Sequence, residues 1–272
     1  MTQTRSRIKA AETIVVKVGT TTITYPTGKL NLMIVEKLVR VLSDLKNQGK
    51  NVILVTSGAI GVGRAKIGYM KRPDSIPEKQ ALAAIGQVNL MYTYSKLFGE
   101  YGHLTSQVLL TKDVLDGGER EHNAVNTFQN LFKFNSIPIV NENDTISIEQ
   151  IQFGDNDTLS AIVAVLVKAD LLILLSDIDG LYDKDPNGHT DAELIHVVCG
   201  ITEEILKASG SSHSDLGTGG MKTKVAAAQI CHQHDIPMVI ANGDDPYNIN
   251  RVLAGEEVGT LFVPCREGVI NE

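Results

Sequence analysis

TIVVKVGTT, residues 13–21, is the segment that best indicates the fold class. Its first six residues, 13–18, are rich in β-branched side chains and apolar on both faces, and Gly19 follows them. Such a run is typical of a strand buried on both sides in a mainly parallel sheet. Lys17 interrupts the run, and a buried lysine is costly unless its ammonium group meets an anion or reaches solvent. Two interpretations therefore stay open: an edge-strand lysine with its head in water, or a lysine that binds a ligand.

Similar short apolar runs recur along the chain, separated by longer segments of helical periodicity. We expect strands at residues 13–18, 51–55, 105–110, 137–140, 171–175, 236–240 and 260–263. Helices are expected at residues 30–47, 79–98, 121–134, 157–168, 203–208 and 220–233, with a further helix starting after residue 59. This alternation predicts βαβ units and a doubly wound α/β sheet with helices on both faces.

Composition narrows the class of protein. A chain of 272 residues with 43% hydrophobic and 21% charged residues is long enough for one large α/β domain or two modest lobes. The net charge of −7 argues against a nucleic-acid or membrane-surface binder. Cys199, Cys231 and Cys265 are widely spaced, so neither a disulfide framework nor a zinc site is predicted. No apolar run is long enough to cross a membrane, and the polar first residues do not resemble a signal peptide, so we expect a cytoplasmic protein.

Polar clusters follow four of the expected strands. They lie at residues 19–21, 56–58, 141–145 and 176–180. In open α/β sheets, ligands bind beyond the carboxyl ends of the strands. The repetition therefore predicts one site at that edge of the sheet.

The segment TSGAIGVGRAK, residues 56–66, passes from a strand into a helix. Ser57 and Gly58 can offer a hydroxyl and backbone N–H groups to an anion. The alternative is that Ser57 is simply the N-cap of the helix, which is worth roughly 1 kcal/mol. Neither this glycine spacing nor the residues after the first strand match GxGxxG, which argues against a Rossmann dehydrogenase.

The segment at residues 138–161 contains two polar clusters. One is Asn141–Asp144, directly after a strand, and the other is 155–157, which opens a helix. Asn and Asp are common helix caps, but two such clusters exceed what capping requires. Carboxylates of this segment could bind an ammonium group, and Asp157 could hold a lysine.

Two later segments suggest a nucleotide. The aspartates of SDIDGLYDKDP, residues 176–186, do not match EF-hand spacing, and a turn-rich connection beside a nucleotide is the interpretation we favour over a solvated loop. In GTGGMKTK, residues 217–224, glycines precede a helix whose first turn carries Lys222 and Lys224. Cations are unfavourable at that end of a helix unless an anion is present, so phosphate binding is predicted. The pattern is not Walker A, which argues against a P-loop ATPase.

Taken together and in this order, the motifs resemble the amino acid kinase family over about residues 13–263. TSGAIGVG, NENDTIS, FGDNDTLSA, SDIDGLYDKDP and GTGGMKTK are similar to its glutamate-phosphorylating branch. Acetylglutamate kinases usually carry a glycine pair after the first lysine, whereas this chain reads Val18-Gly19-Thr20. The resemblance implies a three-layer αβα sandwich around an eight-stranded, mostly parallel sheet. It implies a single domain, residues 1–272, with a glutamate-binding lobe at about 1–170 and an ATP-binding lobe at 171–272.

The resemblance also assigns residues to roles. For glutamate these are Ser57, Gly58, Asp144 and Asn156. For ATP they are Lys17, Ser176, Asp177, Thr218, Gly219, Gly220, Met221, Lys222, Thr223 and Lys224. Lys17 and Lys224 would flank the transferred phosphoryl group as catalytic residues, and Asp157 would hold both lysines.

The implied reaction is ATP-dependent phosphorylation of the side-chain carboxylate of L-glutamate, giving L-glutamyl 5-phosphate and ADP, the first step of proline biosynthesis. The resemblance implies that Mg²⁺ enters with ATP, without protein ligands. It further implies a homo-oligomer, proline as a feedback inhibitor, and handover of the product to glutamyl phosphate reductase. Many relatives carry a C-terminal PUA domain. This sequence ends soon after its last expected strand, so we expect no such domain here.

Two alternatives stay open. The nearest alternative is another kinase of the same family, acting on acetylglutamate or on a nucleoside monophosphate. A nucleoside monophosphate kinase would need basic residues for the acceptor phosphate, whereas this chain has the acidic cluster 141–144. A non-catalytic amino acid sensor is the other, but such a protein is expected to have lost Lys17, Asp157 or Lys224.

Overall fold

The computed structural model describes residues 2–69, 71, 73–115, 117–147, 156–186, 188–203, 205 and 220–264. Its strands are β1 Thr13–Val18, β2 Asn51–Val55, β3 Thr105–Leu110, β4 Ile137–Glu142, β5 Leu171–Ser176, β6 Val197–Cys199, β7 Met238–Asn242 and β8 Thr260–Val263. They form one sheet in the order β3-β4-β2-β1-β5-β7-β8-β6.

The sheet is mostly parallel, as expected. Among the strand pairs of the described residues, only β7 and β8 run antiparallel. β1 lies in the middle of the sheet, hydrogen-bonded to β2 on one side and β5 on the other. This central place explains why its sequence is apolar on both faces.

Helices cover both faces of the sheet. They are α1 Thr2–Lys9, α2 Thr20–Ile23, α3 Leu32–Asn47, α4 Ala59–Ile67, α5 Ile76–Glu100, α6 Glu119–Lys133, α7 Asn156–Leu166, α8 Met221–Gln233 and α9 Asn248–Leu253, with a 3₁₀ turn at Lys112–Leu115. Alternate residues of β1 belong to two separate cores, because successive side chains of a strand point to opposite faces. Val15 packs in the core that contains residues of α6, α7 and α8. Ile14 and Val16 pack in the core that contains residues of α3, α5 and α9. The expected three-layer αβα sandwich is confirmed.

Most expected strands agree with the structure, and the differences have local causes. β4 runs on to Glu142 and β5 to Ser176, because the polar residues that follow each apolar run still pair with a neighbour. β7 begins at Met238 rather than 236, after Pro237, which has no N–H to donate. β6 was missed because three residues are too few for a periodic pattern.

The helix boundaries also differ from the expected ones by a few residues. α5 begins at Ile76, earlier than expected, with a capping box formed by Ser75 and Glu78. α3 begins at Leu32, where the Asn31 side chain accepts a hydrogen bond from the Ile34 N–H. The terminal α1 and the short α9 were not expected, and most of the helix expected at 203–208 lies outside the described residues.

The structure describes two of the three cysteines, Cys199 and Cys231. Cys199 forms a disulfide bond, which the cysteine spacing did not indicate, whereas Cys231 is a buried free thiol. Within the described ranges, none of the helices has both the length and the apolar character needed to cross a lipid bilayer.

Candidate active site

The predicted polar clusters lie at the carboxyl edge of the central strands. Lys17 is the penultimate residue of β1, aligned with Val55 of β2 and Leu174 of β5. Only 7% of its surface is exposed. The interpretation of Lys17 as an edge-strand lysine with its head in water is therefore wrong. Its ammonium group is held inside the protein.

The partner of Lys17 is Asp157, in the first turn of α7. The Lys17 Nζ lies 2.5 Å from Asp157 Oδ1, and the Lys224 Nζ lies 3.2 Å from Asp157 Oδ2. The Thr223 hydroxyl donates a further hydrogen bond of 2.8 Å to Oδ2. Three elements, β1, α7 and α8, therefore meet at one carboxylate. We call Lys17, Asp157, Thr223 and Lys224 the lysine cluster.

The lysine cluster is buried and carries excess positive charge. Asp157 is 1% exposed and Lys224 5%. Burial alone would raise the pKa of Asp157, but the two ammonium groups outweigh it and hold that pKa well below its usual range. The carboxylate is therefore ionised at neutral pH. The formal charges of its two lysines and one aspartate sum to +1, an arrangement suited to binding an anion between the lysines.

The α8 turn supplies the second lysine. Gly220 is the N-cap of α8 and makes no side-chain capping bond, so the N–H groups of the first turn lack that partner. Lys224 and Met221 point inward and are buried, whereas Lys222 is exposed. Thr218 and Gly219 lie outside the described residues.

A second group of residues surrounds Asn156, the residue before Asp157. The Asn156 Nδ2 lies 2.9 Å from Ser57 Oγ, 2.6 Å from the Thr56 carbonyl oxygen and 2.9 Å from Asn141 Oδ1. Asn141 Nδ2 in turn donates to Gln87 Oε1 at 2.8 Å. We call Ser57, Gln87, Asn141 and Asn156 the amide network.

The structure excludes one of the two interpretations of Ser57, that of a helix N-cap. The N-cap of α4 is Gly58, with φ 93° and no side-chain capping bond. Its left-handed conformation explains the glycine. Ser57 instead contacts Asn156, so it is not the helix cap.

Asp144 lies beside the amide network, two residues after β4. It lines a cleft of about 240 Å³ between α5, β3 and the end of β4, whose lining includes Ala83, Gln87, Val88 and Leu109. Burial raises the pKa of Asp144 to about 6. Unlike Asp157, this carboxylate has no lysine or arginine salt bridge among the described residues.

The residues after β5 form a separate part of the same edge. Ser176 is buried and donates a hydrogen bond of 3.0 Å to Asp177 Oδ1. Asp179 accepts from Asn242 and Tyr182, so the turn is held by local bonds. Within the described ranges, no group of three or more His, Cys, Asp and Glu side chains could hold a metal ion.

The glycine that follows β1 is not required by its backbone conformation. Gly19 has φ −80° and ψ 162°, an extended conformation open to any residue. A Cβ there would be 3.7 Å from the Lys17 Nζ, an ordinary contact. The turn after β1 therefore does not require glycine for its backbone.

Sequence reasoning did not single out Gln87, although it is part of the amide network. It lies in the middle of the long helix α5, where no local motif distinguishes it from a surface glutamine. The hydrogen bond from Thr223 to Asp157 was also not predicted, because the two residues are remote in sequence. The expected contact of Thr223 with ATP stays a prediction.

Comparison with known proteins is consistent with this geometry. The model of the amino acid kinase family matches residues 12–242. The glutamate 5-kinase of Clostridium perfringens (strain 13 / Type A) is 53% identical over 263 residues, which cover 95% of this chain and 98% of that protein. The glutamate 5-kinase of Caldanaerobacter subterraneus subsp. tengcongensis is 52% identical over 256 residues, covering 94% of this chain and 69% of that protein.

Solved structures of lower similarity share the fold. UMP kinase from Ureaplasma parvum superposes with a TM-score of 0.64 at 14% identity, covering 93% of this chain and 98% of that one. The T. acidophilum isopentenyl phosphate kinase gives a TM-score of 0.62 at 18% identity, covering 92% and 99%. At these identities the similarity concerns the fold alone.

Proposed function

The chain belongs to the amino acid kinase family, and from this premise we propose that it transfers the γ-phosphoryl group of ATP to the side-chain carboxylate of L-glutamate. The products are L-glutamyl 5-phosphate and ADP, the first step of proline biosynthesis. Relatives about half identical over nearly the whole chain are glutamate 5-kinases, which supports this acceptor over acetylglutamate or a nucleoside monophosphate. The observation that carries the proposal is the contact of Lys17 and Lys224 with the two oxygens of one buried aspartate.

The acceptor needs no general base. A glutamate side chain has a pKa near 4.3, so it is an anion at neutral pH. The difficulty is that this anion must approach a polyphosphate of the same sign. Catalysis is therefore mainly positioning and neutralisation of charge in a loose phosphoryl-transfer transition state.

The lysine cluster suits that task. Lys17 and Lys224 stabilise the negative charge on the transferred group, and Asp157 fixes both ammonium groups in advance. Because the site is buried and already oriented, each donor acts without reorganisation, and a donor of this kind contributes about 10²–10³ in rate. Mg²⁺ bound to the phosphate oxygens of ATP would neutralise further charge.

The two halves of the chain divide the binding. The first lobe, residues 1–170, holds glutamate through Ser57, Gly58, Asp144 and Asn156, with the Asp144 carboxylate on the substrate ammonium group. The second lobe, residues 171–272, holds ATP. The ATP residues are Lys17, contributed by the first lobe, with Ser176, Asp177 and the segment 218–224. Asp157 belongs to the first lobe and contacts one lysine from each lobe.

Regulation and partners are carried over from the family. We propose inhibition by proline, a homo-oligomer, and direct consumption of the acyl phosphate by glutamyl phosphate reductase. A cytoplasmic location fits these partners.

An assay of ADP release against glutamate, acetylglutamate, aspartate and UMP tests the function. Hydroxylamine is included, because it traps an acyl phosphate as a hydroxamate. We expect ADP release and hydroxamate with glutamate. Turnover of another acceptor, with no turnover of glutamate, would overturn the proposal. If none of the four acceptors gave ADP release, a binding protein of the same fold would be favoured.

A further inference from the structure

Asn141 is the centre of the amide network. Its Oδ1 accepts from Asn156 Nδ2 at 2.9 Å and from the Glu142 backbone N–H at 2.9 Å. Its Nδ2 donates to Gln87 Oε1 at 2.8 Å. Asn141 is 2% exposed, so a lost partner could not be replaced freely by water. Gln87 therefore accepts the hydrogen bond from the Asn141 amide nitrogen, while the Asn141 amide oxygen accepts the one from Asn156.

Gln87 is held firmly in place by α5. At the preceding Gly86, a Cβ would lie 1.7 Å from the Ala59 carbonyl oxygen, so α5 and α4 touch backbone to backbone. Two turns later, the Tyr94 hydroxyl lies 2.9 Å from Thr56 Oγ1. Both contacts join α5 to the segment around Ser57. Gln87, Asn141, Asn156 and that segment thus form a closed ring of contacts.

Packing alone does not account for a glutamine at this position. The Gln87 Nε2 is buried and has no hydrogen-bond partner among the described residues. An unpaired buried amide group costs about 1–3 kcal/mol, a cost that an apolar side chain of similar size would avoid. The oxygen of Gln87 has a partner in Asn141, so the acceptor is the part of the amide that the structure uses.

We propose that Gln87 is a positioning residue of the acceptor site, acting through Asn141 to hold Asn156 in its binding orientation. The inference rests on the proposed glutamate kinase function and deepens it. Gln87 belongs to the glutamate side of the site, and among the described residues it makes no hydrogen bond to the lysine cluster. Loss of the Gln87 side chain should therefore weaken the binding of glutamate, the acceptor substrate, without slowing phosphoryl transfer.

The first test is Gln87→Leu. We expect the KM for glutamate to rise about fivefold to tenfold, as for the loss of one buried hydrogen bond, while kcat and the KM for ATP stay within about twofold. The melting temperature should change little, because removal of the unpaired Gln87 Nε2 offsets the cost of leaving Asn141 Nδ2 without its acceptor. Asn89→Leu is the matched control, since Asn89 is an amide of the same helix that donates to Ile85 O at 3.2 Å. An unchanged glutamate KM, or a fall in kcat alone, would overturn the assignment.

A double-mutant cycle tests the route through Asn141. Asn141→Ala should raise the glutamate KM, and Gln87→Leu added to it should raise the KM less than twofold further, because the mediating side chain is already gone. Additive effects would mean that Gln87 acts independently, and would overturn the proposal. The wild-type assay separates this outcome from a wrong function. Wild-type hydroxamate formation with an additive cycle rejects only the role of Gln87, whereas no hydroxamate from wild type rejects the glutamate kinase function on which it rests.

Discussion

Two aspartates of the candidate site, the buried Asp157 and the half-buried Asp144, have opposite electrostatic properties. Asp157 lies between two lysines, and its pKa is lowered despite nearly complete burial. Asp144 lines an open cleft without a salt bridge to lysine or arginine among the described residues, and burial raises its pKa to about 6. The negative charge of the aspartate is thus compensated by lysines at Asp157, whereas no lysine or arginine of the described residues compensates it at Asp144.

The difference suggests how the two regions are used. The lysine cluster is complete within the protein and has one positive charge in excess, so it is ready for an anion. The Asp144 cleft lacks a cation, and the proposed substrate brings one in its ammonium group. Substitutions on each side should therefore have opposite electrostatic consequences.

The largest effect is expected for Asp157→Asn. The change leaves two buried ammonium groups without their carboxylate, so the free energy of unfolding should fall by about 3–5 kcal/mol. A depressed pKa adds stability above the unfolded value near 4 and loses it as the pH falls through the folded pKa. The difference between wild type and variant in denaturant unfolding should therefore narrow below about pH 4.

The surface pair of Lys184 and Asp191 provides the control for that experiment. Asp191 is 75% exposed, so Asp191→Asn should change the free energy of unfolding by less than about 1 kcal/mol. Equal losses in the two variants would mean that the lysine cluster contributes no more than a surface ion pair.

Lys224→Ala should come next, with its main effect on turnover. Loss of one oriented donor should lower kcat by about 10²–10³, with little change in the KM for glutamate. Lys96→Ala removes an exposed lysine from α5 and is the control for net charge. Initial rates at saturating ATP provide the measurement. Turnover of Lys224→Ala close to that of wild type would remove this lysine from the transition state.

Asp144→Asn tests the uncompensated side of the comparison. In the wild type, the glutamate KM should fall about tenfold as the pH rises from 5 to 7, because Asp144 becomes the carboxylate that binds the ammonium group. The variant should have a KM at pH 7 about 10- to 100-fold higher, with little dependence on pH over this range. A variant that keeps the wild-type pH profile would show that another group titrates.

The same residue should affect stability with the opposite sign to Asp157. Its folded pKa lies above the unfolded value, so the folded protein binds the extra proton and loses stability as the pH rises from about 4 to about 6. Asp144→Asn should remove that loss. Unfolding curves at pH 4.5 and pH 6.5 for both proteins measure it.

The smallest effect is expected for Tyr94→Phe. Tyr94 is fully buried, and among the described residues its hydroxyl has one side-chain partner, Thr56, at the edge of the amide network. We expect a loss of about 1 kcal/mol in the free energy of unfolding and a glutamate KM within about twofold of wild type. A tenfold change in KM would place Tyr94 within the functional network rather than beneath it.

Much of the fold could be predicted because buried parallel strands have a local signature. Residues 13–18 and 51–55 are apolar on both faces, and their bounds agree with the structure. β6 and α9 could not be predicted, because such short elements depend on the neighbours against which they pack. The start of α5 was missed although Ser75-Ile76-Pro77-Glu78 contains a capping-box pattern.

The candidate site shows a similar division. Lys17, Asp157 and Lys224 stand out in sequence because each breaks a local rule: a lysine in an apolar strand, a cluster beyond capping needs, a cation at the start of a helix. Gln87 breaks no such rule, since a glutamine in a helix is ordinary. Its role depends on a contact with Asn141, which is far away along the chain.

Local sequence patterns established the layered α/β architecture, the edge of the sheet where polar residues gather, and the resemblance to the family. Three features required the folded molecule: the burial of Lys17 in a central strand, the contact of Ser57 with Asn156 in place of a helix cap, and the opposite pKa shifts of two aspartates. The physical reason is one of range. Strand and helix patterns follow from neighbours along the chain, whereas burial and charge compensation are set by side chains that the fold brings together from distant segments.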